Sequence, residues 1–280
     1  MDQSEAAREQ KREGEQLFYL YCFARAGGVR SIAAPGVSDG GVATLNVDAV
    51  SAVFSIVPRD EFEGEAAARN VQDLAWVAPR AIRHEEVLEE VLQECAVLPV
   101  RFGTVFLSVQ AMENTLRGHY GEVARFLADF SDKQEWCVKA FGDAAKAAEW
   151  LAANDPDLCE QKKCSIESPG ARYFHHKRLQ AEAGRRSRQM HRTWGGQIGD
   201  ELRVLAAGVR QLRLQPMGVT GRKEDMLLNT AYLLHAGSVG NFRKRVDELA
   251  SACAQRGVVV EASGPWPPYN FCPSIGGIGE

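Results

Sequence analysis

Two cysteines and two histidines in the second half of the chain are of the types that bind zinc: Cys159, Cys164, His175 and His176. Structural zinc sites use paired ligands that are joined by a tight turn. Here four residues separate the two cysteines, and adjacent histidines on a helix point about 100° apart. The spacing therefore favours loop cysteines and surface histidines over a metal site, and we predict no metal.

Carboxylate pairs and isolated histidines could serve acid–base catalysis. Glu85-Glu86 and Glu89-Glu90 lie on the polar side of a predicted helix, where a solvated surface is the ordinary interpretation. His84 and His119 lie on predicted helices with no catalytic motif around them. The chain contains neither the glycine patterns that bind phosphates nor a nucleophile elbow. We therefore predict no catalytic residue and no cofactor, and we expect that the protein is not an enzyme.

Charge is distributed unevenly along the chain. Residues 171–192 contain seven Lys or Arg and one acid, Glu182, whereas residues 60–95 are strongly acidic. Such segments can attract a partner of opposite sign or serve solubility alone, and a basic helix can also contact nucleic acid or an anionic membrane. The arginines spread around the predicted helix, so we favour a solvated face first and a protein contact second. A net charge of −4 excludes a nucleic-acid binder that uses its whole surface.

Composition is that of a soluble globular protein, with 45% hydrophobic and 25% charged residues in 280. No run of about 18 apolar residues is present, so we expect no membrane span. The charged first residues do not resemble a secretory signal. Seven cysteines at irregular spacings then predict free thiols in a reducing compartment, the cytoplasm.

The hydrophobic pattern predicts two α+β units. In the first, strands over 17–25, 42–47, 50–57 and 135–141 alternate with helices over 60–95 and 108–131, and helices cover one face of an antiparallel sheet. In the second, we predict a long helix over 171–206, in one piece or in two around Trp194-Gly195-Gly196, strands over 209–216, 225–235 and 258–264, and a helix over 240–257.

These elements predict five segments along the chain. They are a polar N-terminal extension (1–16), an N-terminal α+β domain (17–142), a linker or helical connection (143–170), a C-terminal α+β domain (171–264), and a proline- and aromatic-rich tail that docks on the fold and has a glycine-rich end (265–280).

Four stretches in a set order are more specific than any of these patterns. They are AVLPVRFGTVF (96–106), EWCVKAFGD (135–143), RYFHHKR (172–178) and GPWPPYNF (264–271). Together they strongly resemble the GvpL/GvpF family of gas vesicle proteins over about residues 17–271. Cys137, Phe174 and the segment 232–242 depart from the usual family pattern, and whether the chain is F-like or L-like stays open.

The resemblance implies an accessory protein of gas vesicle formation, in the cytoplasm or on the vesicle. It also implies a ferredoxin-like N-terminal domain and a modified ferredoxin-like C-terminal domain. Expected partners are the hydrophobic major shell protein and other accessory gas vesicle proteins, not nucleic acid; the oligomeric state stays open. Family-motif residues with a structural or partner-binding role are Pro99, Arg101, Phe102, Gly103, Trp136, Tyr173, Gly264, Pro265, Trp266, Pro267, Pro268 and Tyr269.

Two of these motifs lead to further expectations. We predict that the sheet of the N-terminal unit, open at the break between Pro99 and Gly103, binds the shell protein. We expect the tail to bury Trp266, Tyr269 and Phe271 and so to seal the core, with docking to a partner as the second interpretation. The competing functions are a small-ligand binder or enzyme with an interdomain pocket, and a nucleic-acid module that uses the basic helix.

Overall fold

Two antiparallel sheets, each packed against helices, organise the chain in the computed structural model, which describes residues 15–163, 168–273 and 275. Each sheet belongs to its own compact unit. The first unit runs to Lys133 and resumes at Pro267, and the second comprises Gln134–Trp266. The α+β class therefore agrees with the prediction, since the hydrophobic periodicity switches between two and 3.6 residues along each unit.

The first sheet has the strand order β2-β3-β1-β4, and β5 also pairs with β1. A two-residue turn joins β2 to β3, and Asp48 takes the positive φ of 51° that such a turn requires. The strands of this sheet are β1 (Gln16–Arg25), β2 (Val42–Val47), β3 (Val50–Pro58), β4 (Val97–Pro99) and β5 (Val105–Phe106).

Among the residues that the structure describes, the first unit also contains four helices: α1 (Arg59–Phe62), α2 (Gly64–Asn70), α3 (Leu74–Glu94) and α4 (Val109–Asp129). The two long ones begin at side-chain caps. The Asp73 carboxylate accepts a hydrogen bond from Ala75 N at 2.9 Å, and the Ser108 hydroxyl accepts one from Ala111 N at 3.1 Å. Each cap satisfies a backbone donor that the helix itself leaves unpaired.

Helices cover both faces of the first sheet, which corrects the expectation of one covered face. Tyr19 and Tyr21 of β1 pack with α3, whereas Leu20 and Phe23 pack with α4. A bulge at Tyr21 shifts the pairing of β1 with β3 by one residue, so Tyr21 and Cys22 both join the cluster on the α3 face. Because helices cover both faces of the sheet, β1 has apolar side chains on both sides, as is usual for a strand between two layers.

The second sheet has the order β7-β8-β6-β9. Its unit contains, in chain order, β6 (Lys133–Gly142), α5 (Ala144–Asn154), α6 (Pro156–Lys163), α7 (Pro169–Arg203), β7 (Gly208–Gln211), α8 (Met217–Thr220), β8 (Asp225–His235), a 3-10 turn (Ala236–Ser238), α9 (Val239–Ala254) and β9 (Val258–Trp266). Helices α7 and α9 pack on one face of the sheet around Tyr232 and Phe242.

The predicted boundaries between the units need two corrections. β6 was expected in the N-terminal domain, but it pairs with β9 and belongs to the second sheet. The predicted connection over 143–170 contributes α5 and α6, which pack against α7 around Leu151, Leu158 and Ala183. The first difference arises because sheet partners that are about 120 residues apart in sequence leave no local signal, and the second because packing between helices is not visible in a single segment.

Among the described residues, no helix is both long and apolar enough to cross a bilayer. Within the same residues, no group of three or more His, Cys, Asp or Glu side chains is arranged to hold a metal ion. Cys159 is a free thiol, as are Cys22, Cys95, Cys137, Cys253 and Cys272. Cys164, the other cysteine of the zinc hypothesis, lies outside the described residues.

Candidate interaction surface of the first unit

The LPVRFG motif forms an arch over β1. β4 and β5 both pair with β1, and the intervening loop is held at its two ends. Val100 N donates to Tyr21 O at 3.0 Å, and Thr104 O accepts from Leu20 N at 2.9 Å. Gly103 has a φ of +89°, which a residue with a Cβ rarely adopts. Pro99 ends β4, and Arg101 is exposed at the top of the arch.

Beneath the arch, Phe102 packs into an aromatic cluster of the α3 face. Its ring lies 6.0 Å from that of Tyr19 and 5.8 Å from that of His84, both edge-on. The Tyr19 hydroxyl lies 2.9 Å from His84 Nδ1 and accepts from Gly103 N at 3.1 Å. Phe102 and Gly103 are therefore tied to the core, which agrees with a packing role for this part of the motif.

The hydrogen bonds favour one tautomer of His84. The Tyr19 oxygen accepts from Gly103 N, and donation of its single proton to His84 Nδ1 gives the hydroxyl both an acceptor and a donor partner, an arrangement that puts the histidine proton on Nε2. In the described part of the chain this buried Nε2 has no hydrogen-bond partner. Burial lowers the pKa of His84 to about 4 and raises that of the Tyr19 phenol. This histidine is therefore neutral at physiological pH.

The C-terminal segment also contacts α3, one residue from His84. Pro267 and Pro268 are buried, and the Tyr269 hydroxyl donates to Glu85 Oε1 at 2.8 Å. Burial raises the pKa of Tyr269, and the neighbouring Glu85 carboxylate raises it further. Tyr269 is nevertheless 42% exposed, whereas Pro267 and Pro268 are buried. The expectation that the tail buries the Tyr269 ring is therefore wrong.

The contact between Tyr269 and Glu85 predicts a small and local effect of Tyr269→Phe. We expect a loss of about 1 kcal/mol of stability, because one partly exposed hydrogen bond to a carboxylate is removed and the ring is retained. The midpoint of urea unfolding of the full chain measures this loss. Tyr173→Phe, which changes an exposed phenol on α7, is the matched control. A Tyr269→Phe midpoint equal to that of the control would show that the bond contributes nothing.

An apolar row crosses three strands on the α4 face of the first sheet. Phe18 of β1 is paired with Ile56 of β3 on one side and with Phe106 of β5 on the other. We call these three residues the apolar row. Neighbouring strands lie about 4.8 Å apart, so the row spans roughly 10 Å. Ile56 is 47% exposed, and Phe18 and Phe106 are half-buried at the border of the core.

Other predicted site residues lie in the second unit. Gly264, Pro265 and Trp266 form the end of β9, where Trp266 is opposite Glu135 and is 37% exposed. This places the start of the proline-rich motif in a strand, and its tryptophan is not a core seal. A Cβ at Gly264 would approach the Trp136 ring to 2.9 Å, so the residue must be glycine.

The predicted site residues therefore do not form one site. Pro99, Arg101, Phe102 and Gly103 lie in the first unit, as do Pro267, Pro268 and Tyr269. Trp136, Gly264, Pro265 and Trp266 meet at the β6–β9 pair. Tyr173 stands apart from both groups on α7, with 59% of its surface exposed.

The sequence did not predict that glutamates on α3 accept hydrogen bonds from the backbone of a distant loop. Glu90 accepts hydrogen bonds from Ala33 N and Ala34 N at 2.7 and 2.8 Å, and Glu94 accepts from Arg30 N at 2.7 Å. They anchor the loop between β1 and β2, so this face is not simply solvated. The helical spacing of His84 with Val87, Leu88 and Val91 did contain a signal that His84 is buried.

Comparison with known proteins gives a consistent result. The family model described as "Gas vesicle synthesis protein GvpL/GvpF" matches residues 17–273. "Gas vesicle protein L" of Streptomyces sp. (strain CB03234) is 25% identical, with 92% of this chain and 93% of that protein covered. "Gas vesicle protein L1" of Halobacterium salinarum is 24% identical, with 92% and 91% covered. The crystal structure of GvpF from Anabaena sp. PCC7120 superimposes with a TM-score of 0.59 at 21% identity, and covers 92% of this chain and 97% of its own.

Proposed function

The chain belongs to the GvpL/GvpF family of gas vesicle synthesis proteins, and on this premise we propose that it binds the hydrophobic major shell protein and prevents its aggregation before assembly. It acts as an accessory protein in the cytoplasm or at the growing vesicle. Other accessory gas vesicle proteins are further partners. No chemical step is part of this function.

The physical need for such a helper follows from the shell. A wall that keeps liquid water out of a gas space requires subunits with an apolar face, and that face aggregates in water before assembly. A helper must cover it reversibly, with an apolar surface of its own that is small enough to remain soluble. The apolar row of Ile56, Phe18 and Phe106 is the observation that carries the proposal.

The buried groups of the first unit support a role without catalysis. His84 and Tyr19 have strongly shifted pKa values, but both are enclosed by aromatic rings and take part in structural hydrogen bonds. A catalytic acid or base must reach its substrate. We further propose that both units are variants of the ferredoxin-like fold. Each sheet places its second, third, first and fourth strands side by side in that order, which supports the proposal.

Replacement of Ile56 by lysine tests the shell-binding proposal. Co-expression of the full chain with the major shell protein, followed by sedimentation and size-exclusion chromatography, measures how much shell protein stays soluble and co-elutes. We expect the unmodified chain to hold shell protein in solution and Ile56→Lys to reduce co-elution at least about tenfold, since a buried isoleucine contributes roughly 1.5–3 kcal/mol.

Two variants make this result specific. Leu74→Lys changes an apolar residue at the start of α3 that is also exposed, and we expect it to behave like the unmodified chain. Ile56→Val keeps the row apolar and should preserve co-elution. If shell protein precipitates with every variant and this chain elutes alone, direct shell binding is refuted. If Ile56→Lys holds shell protein as well as Leu74→Lys does, the apolar row is not the binding surface.

A further inference from the structure

Strand β2 lies at the outer edge of the first sheet and lacks the features that normally prevent pairing with another chain. It pairs with β3 on one side, and in the described part of the chain no strand pairs with its other side. Its six residues, VATLNV, contain no charge, no proline and no glycine. Proteins usually protect an edge strand with charged side chains, proline, a bulge or short length, because an open edge pairs readily.

The other sheet edges among the described residues do have such protection. β4 has three residues and ends at Pro99, and β7 has four residues, one of which is Arg210. β9 contains Pro265 and Glu261, and Glu261 forms an ion pair with Arg222. β2 is therefore the exception, a six-residue neutral strand at an open edge.

The pairing pattern identifies the backbone groups of β2 that point outward. Ala26 N donates to Ala49 O at 2.9 Å, so β3 bonds to β1 through its odd-numbered residues. Hydrogen-bonded pairs alternate along antiparallel strands, so β3 bonds to β2 through its even-numbered residues. The partners of these residues in β2 are Ala43, Leu45 and Val47. The N–H and C=O groups that point to the open edge are therefore those of Val42, Thr44 and Asn46.

These outward groups are accessible. Thr44 and Asn46 are exposed, and Val42 is half-buried. Within the residues that the structure describes, no backbone hydrogen bond joins these three residues to a segment outside the sheet. An extended strand that lies along this edge can pair with all three of them, as in recognition by strand addition.

A second copy of β2 fits this edge in one register. Residues that lie opposite each other in paired strands share a face of the sheet, so even-numbered residues must meet even-numbered ones. When Thr44 lies opposite Thr44 of the copy, Val42 lies opposite Asn46, and every outward-facing residue of both strands exchanges hydrogen bonds. A shift by two residues leaves one outward-facing residue of each strand outside the pairing.

Side chains and charge agree with this register. On the α4 face, Ala43 of one strand lies opposite Leu45 of the other, and on the opposite face the two threonines form a favourable cross-strand pair. No charged residues meet within the paired strands. Gly40 and Gly41 precede β2 and come opposite the end of the copy's strand and its turn, where glycines leave room.

We propose that two copies of this chain pair through β2 in an antiparallel, two-fold symmetric arrangement. The sheets of their first units then form one continuous sheet, and both apolar rows lie on the same face of it. The neutral edge carries no charge that would select a foreign strand, whereas its own copy satisfies every outward group. The interface is β2 rather than the apolar row, so the inference does not depend on the shell-binding proposal.

Sedimentation velocity of the full chain without shell protein, over a range of micromolar concentrations, tests the inference. We expect the mass to rise from that of one chain to that of two. Thr44→Lys and Thr44→Glu each place like charges opposite each other and should raise the Kd of the dimer at least about tenfold. An equimolar mixture of the two variants should form the dimer again, because each lysine then faces a glutamate.

Further variants locate the interface. Thr44→Pro removes an outward N–H without removing a bond to β3, and we expect a monomer. Ala262→Lys introduces the same charge at an exposed position of β9 and is the matched control, which should form dimers as the unmodified chain does. Far-UV circular dichroism should be the same for all of these chains, so that a loss of the dimer is not a loss of the fold.

Three outcomes would overturn the inference. They are a monomer at every concentration, a dimer that is unchanged in both Thr44→Lys and Thr44→Pro, and a mixture of Thr44→Lys with Thr44→Glu that stays monomeric. If the chain is a monomer and purified shell protein binds the unmodified chain but not Thr44→Pro, the edge accepts a strand of that partner instead of a second copy.

Discussion

Gly195→Ala is expected to destabilise the second unit by about 2 kcal/mol or more. A Cβ at this position would lie 2.3 Å from the Leu227 carbonyl oxygen of β8. Neither atom can move easily, since the backbone of α7 fixes the position of the Cβ and the oxygen belongs to the backbone of β8. The gain of about 1 kcal/mol that alanine normally brings to a helix interior is not enough to offset this overlap.

Gly196→Ala is the matched control for this prediction. Beyond its chain neighbours and the nearby backbone of α7, no atom lies within 4 Å of a Cβ at Gly196, and the residue is on the exposed side of the same helix turn. We expect this variant to be as stable as the unmodified chain or more stable by up to about 1 kcal/mol. Urea unfolding monitored by tryptophan fluorescence compares the two. Similar midpoints for both variants would show that α7 does not approach β8 as closely as the structure indicates.

His84 is expected to make the first unit sensitive to acid. Its pKa is about 4 in the folded chain, against an ordinary value of 6.5. Above pH 6.5 the histidine is neutral in both the folded and the unfolded chain, so its burial does not lower stability through protonation. Between pH 6.5 and 4 the unfolded chain binds a proton that the folded chain does not, so stability falls, by about 3 kcal/mol in total.

His84→Gln removes the titrating imidazole and tests the prediction. The glutamine carbonyl can accept the Tyr19 hydrogen bond, and its amide does not titrate. We expect a lower stability than that of the unmodified chain at pH 7.5, but a shallower decline between pH 6.5 and 4. His119→Gln controls for the loss of a histidine on α4. His191 in the second unit also has a lowered pKa, so the comparison between variants isolates His84. Parallel declines in the unmodified chain and His84→Gln would contradict the assignment.

Much of the local structure was predictable because each segment contains its own signal. The apolar stretch at 17–25 became β1, and the two stretches that flank Asp48 became β2 and β3. Strand β8 matches the predicted 225–235, because apolar residues dominate the interior of that stretch. The helix over 171–206 was also expected, but the possible interruption at Gly195 does not occur. Contact with β8 requires glycine there while α7 continues.

The candidate surfaces were predictable only in part. The LPVRFG motif predicted a break between Pro99 and Gly103, and its residues form the arch over β1. The apolar row was not foreseen, since Phe18, Ile56 and Phe106 come from three strands whose pairing is set by register. Glu85 and Glu90 looked like solvated residues of a helix. Their partners, Tyr269 and the amides of Ala33 and Ala34, are distant in sequence.

By itself, the sequence determined the family, the α+β class and the positions of most strands and helices. These properties depend on short motifs and on periodicity within single segments. Only the tertiary structure decided that β6 pairs with β9, that the chain returns to the first unit at Pro267, and that Tyr173 and Phe174 remain exposed. Pairing and exposure depend on which distant segments exclude water from each other, and no single segment encodes that.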